Sequence, residues 1–551
     1  MKKLNYTKPH KRLWISSLTE EAIKEGFKNL KSDNELLSLY KAGEARAISD
    51  WILGINATRA YTVVYGKEKQ VLSIGRVQTP TLAMIVKRHF EIQNFVSKKY
   101  FELKTKYREV IFNSEKGRYD NKEDLDRLLE NISEHPFVIT DIKKKKGLES
   151  APRLFDLTSL QVECNKHYGL SADVTLNTVQ RLYEMKLTTY PRVDTCFLPE
   201  DIYPKISGIL NNLTKLSIYS NYIKPLLGKK LSKSKKVFDN SKVTDHHAII
   251  PTGIITNKLT DTEAKVYDKI VRRFIAVFYP ECSFMQTIVK GEVNKIKFKA
   301  TGKQIIDEGW KLLYKKEIDI NENKKEDEDD FQIFPEFVEG ESGEHSPFIM
   351  ERQTQPPKPY TEATLLRAME TAGKDIEDEE LRDALKDNGI GRPSTRANII
   401  ETLLKRNYII KQKKNLIPTP LGIEIINLIS NELLKSAELT GYWEKKLRMI
   451  ERNEYDDKLF IEETKSLSYE LIRELKLECG IKKIRCPKCI NGYVIRGKSA
   501  YGCSDWNNGC DFRVPINIKN TSIKWIDLVN ILNNIPKIIV FDNKKFYMRL
   551  N

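Results

Sequence analysis

A tyrosine followed by proline, arginine and aspartate, in Leu187-Thr188-Thr189-Tyr190-Pro191-Arg192-Val193-Asp194-Thr195, carries the residue types of a centre that attacks phosphodiesters. Pro191 disfavours the helical region for Tyr190, so the segment is expected to be extended there. In an extended chain residues i, i+2 and i+4 share a face. Tyr190, Arg192 and Asp194 then line up as a nucleophile, a guanidinium suited to phosphate and a carboxylate. Taken alone, a tyrosine before a proline is more often a packing residue. Other segments carry phosphate-binding types. Ser73-Ile74-Gly75-Arg76-Val77-Gln78-Thr79-Pro80 puts a glycine, a guanidinium and an amide before a helix N-terminus, where free N–H groups and the dipole favour anions. Asn388-Gly389-Ile390-Gly391-Arg392-Pro393-Ser394-Thr395-Arg396 is a glycine-loosened turn with two arginines, again opening a helix. Thr244-Asp245-His246-His247-Ala248-Ile249-Ile250-Pro251-Thr252 holds the only adjacent histidine pair of the chain.

Lys and Arg number 93 against 76 Asp and Glu, a net charge of +17, and the isoelectric point is near 9.2. Such a surplus points to a polyanionic partner. No apolar run approaches the roughly 20 residues of a membrane span, and Met1-Lys2-Lys3-Leu4-Asn5-Tyr6 lacks a signal's apolar stretch. Nucleic acid is therefore the expected partner, with no membrane, and the cytoplasm (at the nucleoid) the expected location. Four of the eight cysteines are spaced as Cys486-x2-Cys489-x13-Cys503-x6-Cys510, which suits a zinc ribbon with four thiolates around a tetrahedral Zn2+. A disulfide pair is the alternative, disfavoured in a reducing compartment. The ribbon's Tyr493, Tyr501, Trp506 and Phe512, with Arg496, Lys498 and Arg513, have the types that stack on and track a single strand, or that build a small core.

At 551 residues the chain should form several domains. Ser17-Leu18-Thr19-Glu20 reads as a capping box, Ala45–Ile55 and Thr79–Phe90 as helices, with Pro80 in a first turn. From Lys98 to Lys146 short alternating runs predict strands. Residues 156–280 return to helices, one ended by Gly169 and the next capped by Ser171. Phe284–Val289, Lys295–Ala300 and Phe348–Met350 read as strands, and Glu317–Asp330 as a solvated acidic loop. Thr361 to Leu477 is expected to be helical. The resulting division is a helical domain in two parts (1–92 and 353–480), a β segment in two parts (93–154 and 282–352), a helical domain with the tyrosine (155–281), the ribbon (484–515) and a tail (516–551).

Taken together and in order, these words resemble the type IA DNA topoisomerases, most closely the topoisomerase III branch. The matching words are Lys11-Arg12-Leu13-Trp14-Ile15-Ser16-Ser17, Gly75-Arg76-Val77-Gln78, Phe155-Asp156-Leu157-Thr158-Ser159-Leu160-Gln161 and Thr189-Tyr190-Pro191-Arg192-Val193-Asp194-Thr195. His246-His247-Ala248-Ile249-Ile250-Pro251-Thr252, Tyr360-Thr361-Glu362-Ala363, Gly389-Ile390-Gly391-Arg392-Pro393-Ser394-Thr395 and the four cysteines complete the set. The resemblance implies a multidomain α+β toroid of helical gate domains bridged by a β arch, ending in the ribbon. It implies that Tyr190 cuts one DNA strand and holds its 5′ end as a phosphotyrosine, with Arg192 and His246 beside it. Arg76 and Gln78 match phosphate-contacting positions. Arg46 and Asp50 fall in a helix used near the DNA, Thr361 and Glu362 open a later gate helix, and Arg392 and Asp194 complete the expected DNA contacts.

A free tyrosine has a pKa near 10, so only about 0.1% is ionised at pH 7. Attack therefore needs cations to favour the phenolate and the phosphorane, and Arg192, Arg76 and His246 are the right types. The phosphotyrosine conserves bond energy, so no ATP is required. Family members also carry an N-terminal Toprim domain whose glutamate and Asp-x-Asp pair bind Mg2+. The matching words begin at about Lys8, where that domain should be ending. The expectation is a chain without these ligands that relaxes DNA poorly alone, with a separate Toprim-containing polypeptide as partner. The alternative is a non-catalytic single-stranded-DNA-binding fragment or one subunit of a split enzyme. A recombinase would place its tyrosine after its arginine and histidine words, and a relaxase would cluster three histidines; neither pattern is present.

Overall fold

The computed structural model describes the chain except residues 1–7, 9, 16–19, 67–69, 244–245, 257, 316–333, 375–377, 386–388, 479–483, 490, 498, 519–520, 524–527, 529–530, 533–536, 542–543 and 549–551. Ser17–Thr19 of the expected capping box and the expected acidic loop thus lie outside the described residues. Three helices come first: α1 (Glu20–Lys28), α2 (Leu37–Tyr65) and α3 (Gln78–Gln93), the last with Pro80 in its first turn. Then follow β1 (Lys99–Tyr107), β2 (Val110–Tyr119), α4 (Lys122–Ser133) and β3 (Phe137–Glu149). The helices α5 (Leu157–Tyr168), α6 (Ala172–Glu184), α7 (Tyr203–Leu213), α8 (Ser217–Ile223) and α9 (Asp261–Ala276) precede a second run of strands. These are β4 (Cys282–Val293), β5 (Ile296–Asp307), β6 (Ser342–Gly343) and β7 (Ser346–Gln353).

Strands from both runs form one antiparallel sheet in the order β6-β3-β4-β5-β2-β1-β7. Glu149, the last residue of β3, is the partner of Cys282, the first of β4. The helical insertion therefore leaves and re-enters the sheet at neighbouring points. Phe112, Phe137 and Phe298 are fully buried on the inner face, under α4 through Leu125 and Ile132. Gly291 gives the Phe137 ring its space, since a Cβ there would strike it. Helix α4 departs from the all-strand expectation for this stretch. Its signals were local: Asn121 accepts from the Glu123 N–H as N-cap, and Leu125, Leu128, Leu129 and Ile132 recur at helical spacing.

The chain closes with α10 (Glu362–Glu370), α11 (Glu379–Leu385), α12 (Pro393–Lys405), the hairpin β8 (Ile409–Gln412) and β9 (Asn415–Pro418), then α13 (Pro420–Leu428), α14 (Glu438–Glu451) and α15 (Asp457–Glu478). The hairpin interrupts a stretch expected to be helical. Its turn uses Lys413 at φ 56° without a glycine, so no turn signal marked it. Helices α14 and α15 lie along α2, joining the two ends of the chain, and one apolar core runs from Ala42 to Leu475. The caps follow the sequence. Asp156 and Ser159 form a capping box for α5, Gly169 ends that helix at φ 68°, and Ser171 accepts the Val174 N–H to start α6. Three short strands, β10 (Val494–Arg496), β11 (Ala500–Cys503) and β12 (Arg513–Pro515), make the cysteine-bearing unit. No described helix is long and apolar enough to cross a membrane.

Candidate active site

Tyr190 is positioned by two extended segments laced together. After α6 the chain reverses through Lys186 at φ 61°, with the Leu187 N–H on the Leu182 carbonyl. Thr188 then pairs antiparallel with Pro251, the Thr189 N–H donates to the Ile250 carbonyl at 3.0 Å, and the Thr252 N–H donates to the Leu187 carbonyl at 3.0 Å. The Thr189 hydroxyl donates to the Ala248 carbonyl and accepts the Ile250 N–H. This lacing brings the histidine pair to the tyrosine. The Tyr190 and His246 ring centroids lie 4.4 Å apart at 37°, and Tyr183 meets the Tyr190 ring at 5.5 Å and 81°. His247 turns inward instead: it is buried, its Nδ1 faces the Ala248 carbonyl at 2.9 Å, and burial holds its pKa below the ordinary histidine value. Beyond Tyr190 burial alternates, with Pro191, Val193 and Thr195 inside and Arg192 and Asp194 exposed, as an extended chain requires.

Two of the arginines expected near DNA, Arg46 and Arg76, are engaged with carboxylates. The Arg76 side chain is 5% exposed; its Nε donates to Asp50 Oδ1 at 2.8 Å and a second nitrogen to Oδ2 at 3.2 Å. Its remaining nitrogen is 3.5 Å from Glu444 Oε1, an ion pair without a hydrogen bond, and its guanidinium lies 4.8 Å over the Trp443 ring. Arg46 grips Glu444 through both terminal nitrogens at 2.5 and 2.6 Å. Burial pushes the Glu444 carboxyl up, but Arg46, Arg76 and the field of Arg392 hold it below the usual carboxylate range. Gln78 bonds back to Ser73. The Ser73–Pro80 turn is thus closed upon itself in this state, with Arg76 facing protein.

Arg392 is exposed at the start of α12, while Arg396, one turn on, is buried. Arg396 donates to the Gly391 carbonyl at 3.0 Å and to the Thr158 hydroxyl at 2.9 Å, and burial lowers its pKa. It clasps the Gly389–Gly391 turn onto α5. Helix α5 in turn touches the tyrosine segment, through the Leu157 N–H on the Val193 carbonyl and Asp156 beside the Cys196 thiol. Gly389 and Gly391 have φ of 56° and 76°, and a Cβ at Gly389 would strike the Met369 carbonyl. Thr361 is a helix cap, closing a box with Thr364. Glu362 is buried, accepts the Ala172 N–H at 2.7 Å at the start of α6, and pairs with Lys411.

The four cysteine sulfurs lie within 4.8 Å of one another, at 3.7 Å for Cys486–Cys510 and 3.4 Å for Cys489–Cys503. These separations exceed a disulfide bond of roughly 2.05 Å. They sit around the about 3.8 Å that a tetrahedron of Zn–S bonds of about 2.3 Å demands. The Gly492 N–H on the Cys489 sulfur favours its thiolate, while burial disfavours that of Cys503. The donor set fits zinc.

Sequence reasoning missed Tyr183, Trp443, Glu444 and Arg396. Glu444 is 398 positions from Arg46, and nothing local marks such a pairing. Arg396 stood in the quoted turn but was weighed with Arg392, although its position inside the helix placed it on the core side.

A sequence profile described as "DNA topoisomerase" matches residues 35–462. The chain belongs to the type IA DNA topoisomerases and is topoisomerase III-like. "DNA topoisomerase 3" of Bacillus subtilis (strain 168) is 37% identical over 508 residues, covering 89% of this chain and 69% of that protein. The protein of the same name from Bacillus thuringiensis (strain Al Hakam) is 38% identical over 516 residues, with 88% and 68% covered. Among solved structures, full-length topoisomerase I from Thermotoga maritima shares the fold, with a TM-score of 0.65 over 97% of this chain and 82% of that one, at 23% identity.

Proposed function

We propose that the protein cuts one strand of DNA with Tyr190, passes another strand through the break and reseals it without ATP. The observation that carries this reading is the Tyr190–His246 contact, fixed by the lacing of residues 187–190 onto 248–252. In the proposed step Tyr190 Oη attacks the phosphorus and its proton passes to solvent. The P–O3′ bond breaks, the leaving 3′ oxygen takes a proton from water, and the 5′ phosphate stays on Tyr190. Religation is the reverse. With its ring 4.4 Å from that of Tyr190, His246 is near enough to donate a hydrogen bond to a phosphate held at the tyrosine. Arg192, exposed two residues on, is free of the core to reach the scissile phosphate. Four thiolates would hold zinc as a structural ion.

Magnesium is expected of the family, and among the described residues no group of three or more carboxylates is gathered to hold it. Among the described residues the one cluster able to hold a metal is the four cysteines. No step is routed through magnesium, and we infer that its acidic ligands come from polypeptide outside these residues, on the same or a separate chain. The same observation favours a second reading, a single-strand-binding subunit that is silent without those acids.

The test uses a single-stranded oligonucleotide labelled at its 3′ end, since that fragment stays on the tyrosine. The protein is incubated with Mg2+, with and without a separately expressed Toprim fragment of a relative. A covalent adduct on a denaturing gel, lost in Tyr190→Phe, is the expected result. Binding without adduct under both conditions leaves the second reading.

A further inference from the structure

We propose that Tyr183 is a positioning residue for the nucleophile, its ring forming the rigid wall against which Tyr190 is held for attack. The inference rests on Tyr190 being the nucleophile. In-line attack constrains the phenolic oxygen to a small volume, so the ring must be fixed about both its torsions before the strand arrives. The backbone lacing on its N-terminal side places the Tyr190 Cα, while the two ring torsions are left to the neighbouring side chains. From Pro191 to Phe197 the chain forms no strand and is tied by the Leu157 N–H on the Val193 carbonyl and the Ala248 N–H on the Phe197 carbonyl. Tyr190 itself is half-buried. Two rings contact it: His246 at 4.4 Å with the planes tilted by 37°, and Tyr183 at 5.5 Å and 81°, the edge-to-face arrangement favoured by aromatic quadrupoles.

The two walls differ in stiffness. His246 sits at a bend just before the bridged residues Ile249 and Pro251. Tyr183 sits in the last turn of α6, whose first turn is fixed by Ser171 and by the buried Glu362 on the Ala172 N–H. The far end is tied by the Lys186 N–H on the Tyr183 carbonyl at 2.8 Å and the Leu187 N–H on the Leu182 carbonyl at 2.9 Å. Thr175, Leu176, Val179 and Leu182 anchor the helix in the core. Burial, with the neighbouring Tyr190 phenol, raises the Tyr183 pKa. The contact with Tyr190 is made by the ring, edge to face, and this ring is the wall.

Three variants separate ring from volume from hydroxyl: Tyr183→Phe, Tyr183→Leu and Tyr183→Ala. An aromatic pair of this kind changes a rate by about three- to tenfold. Adduct formation at saturating oligonucleotide should match wild type in the Phe variant and fall by about that factor in the Leu and Ala variants. Oligonucleotide affinity and the pH dependence of the rate should not move. A readout free of activity is the NMR signal of [13Cε]-tyrosine, with Tyr190 assigned through Tyr190→Phe. Its ring-shifted resonance should persist in Tyr183→Phe and move toward the free-tyrosine position in Tyr183→Leu. The proposal is overturned if Phe is as slow as Ala, if Leu and Ala keep the wild-type rate, or if the Tyr190 resonance is the same in all variants. Absence of any Tyr190-dependent adduct in wild type, with the Toprim fragment present, instead removes the nucleophile reading, and the NMR result still decides the packing.

Discussion

Arg76 can be charged inside the protein only because Asp50 and Glu444 face it, and Glu444 does so while also bound by Arg46. Removing one partner of a buried ion network leaves the others uncompensated, which costs about 3–5 kcal/mol. Glu444→Ala is therefore expected to lower unfolding stability by about that amount in urea titrations, with Glu444→Gln intermediate. A loss within about 0.5 kcal/mol, the scatter of ordinary surface substitutions, would show the network to be dispensable. The open side of the cluster is Asp50, 41% exposed, so an arriving phosphate would compete with that carboxylate for Arg76. At the tyrosine, His246→Phe keeps a ring against Tyr190 and removes the imidazole nitrogens. If charge is what His246 contributes, adduct formation should fall by about 10²-fold, the order seen when one preorganised donor is lost. Wild-type rates in that variant would assign His246 to packing alone.

Helices α5 and α9 are joined by a charge contact beside the tyrosine segment. Glu163 on α5 lies 3.8 Å from both Lys269 and Arg273 on α9, and 3.2 Å from His167. Burial pushes its carboxyl up, but the His167 hydrogen bond and the Arg273 and Lys269 charges outweigh this and bring it down to about 2 from 4.5. A carboxylate lowered on folding stabilises above its unfolded pKa. Its contribution, on the order of 3 kcal/mol, is complete above about pH 4.5 and disappears as pH falls toward about 2. Glu163→Gln should thus be less stable than wild type at pH 7, and the two unfolding curves should converge near pH 2. Parallel curves across that range would exclude the linkage. Elements whose causes are local were legible in the sequence: Gly169 and Ser171 as caps, Pro80 in its first turn, the alternation of β1 and the exposed Arg192 and Asp194. What escaped was set at a distance. The β8–β9 turn lacks a glycine, and the split between His246 on the tyrosine and His247 in the core depends on strand lacing that no single segment contains.

The molecule combines a helical body, a sheet and a small cysteine-bearing unit whose contributions to stability differ. The helical core draws residues from Ala42 to Leu475 and the sheet has its own phenylalanine cluster, so neither depends on a metal. The ribbon has a small core of Val494, Tyr501, Phe512 and Val514, joined by Ile516, Ile523 and Leu528, with Cys486 and Cys503 buried and Cys489 and Cys510 partly so. A unit of this size rarely holds together on apolar burial alone, and metal binding supplies its folding energy. It touches the body through Arg496, 5.6 Å from the centre of the Tyr65 ring at the end of α2. One zinc per chain is therefore expected by elemental analysis, and Cys503→Ser should abolish it. Chelation should raise hydrogen exchange across residues 494–515 while the α2 and β4 amides stay protected and the main thermal transition is unmoved. The exposed Trp506 lies in this unit, and the net charge of +17 makes affinity for a single strand electrostatic in part. Loss of zinc should then weaken oligonucleotide binding without changing the adduct rate at saturation, since Tyr190 and His246 belong to the helical body. A slower adduct at saturation would mean instead that the ribbon takes part in shaping the site.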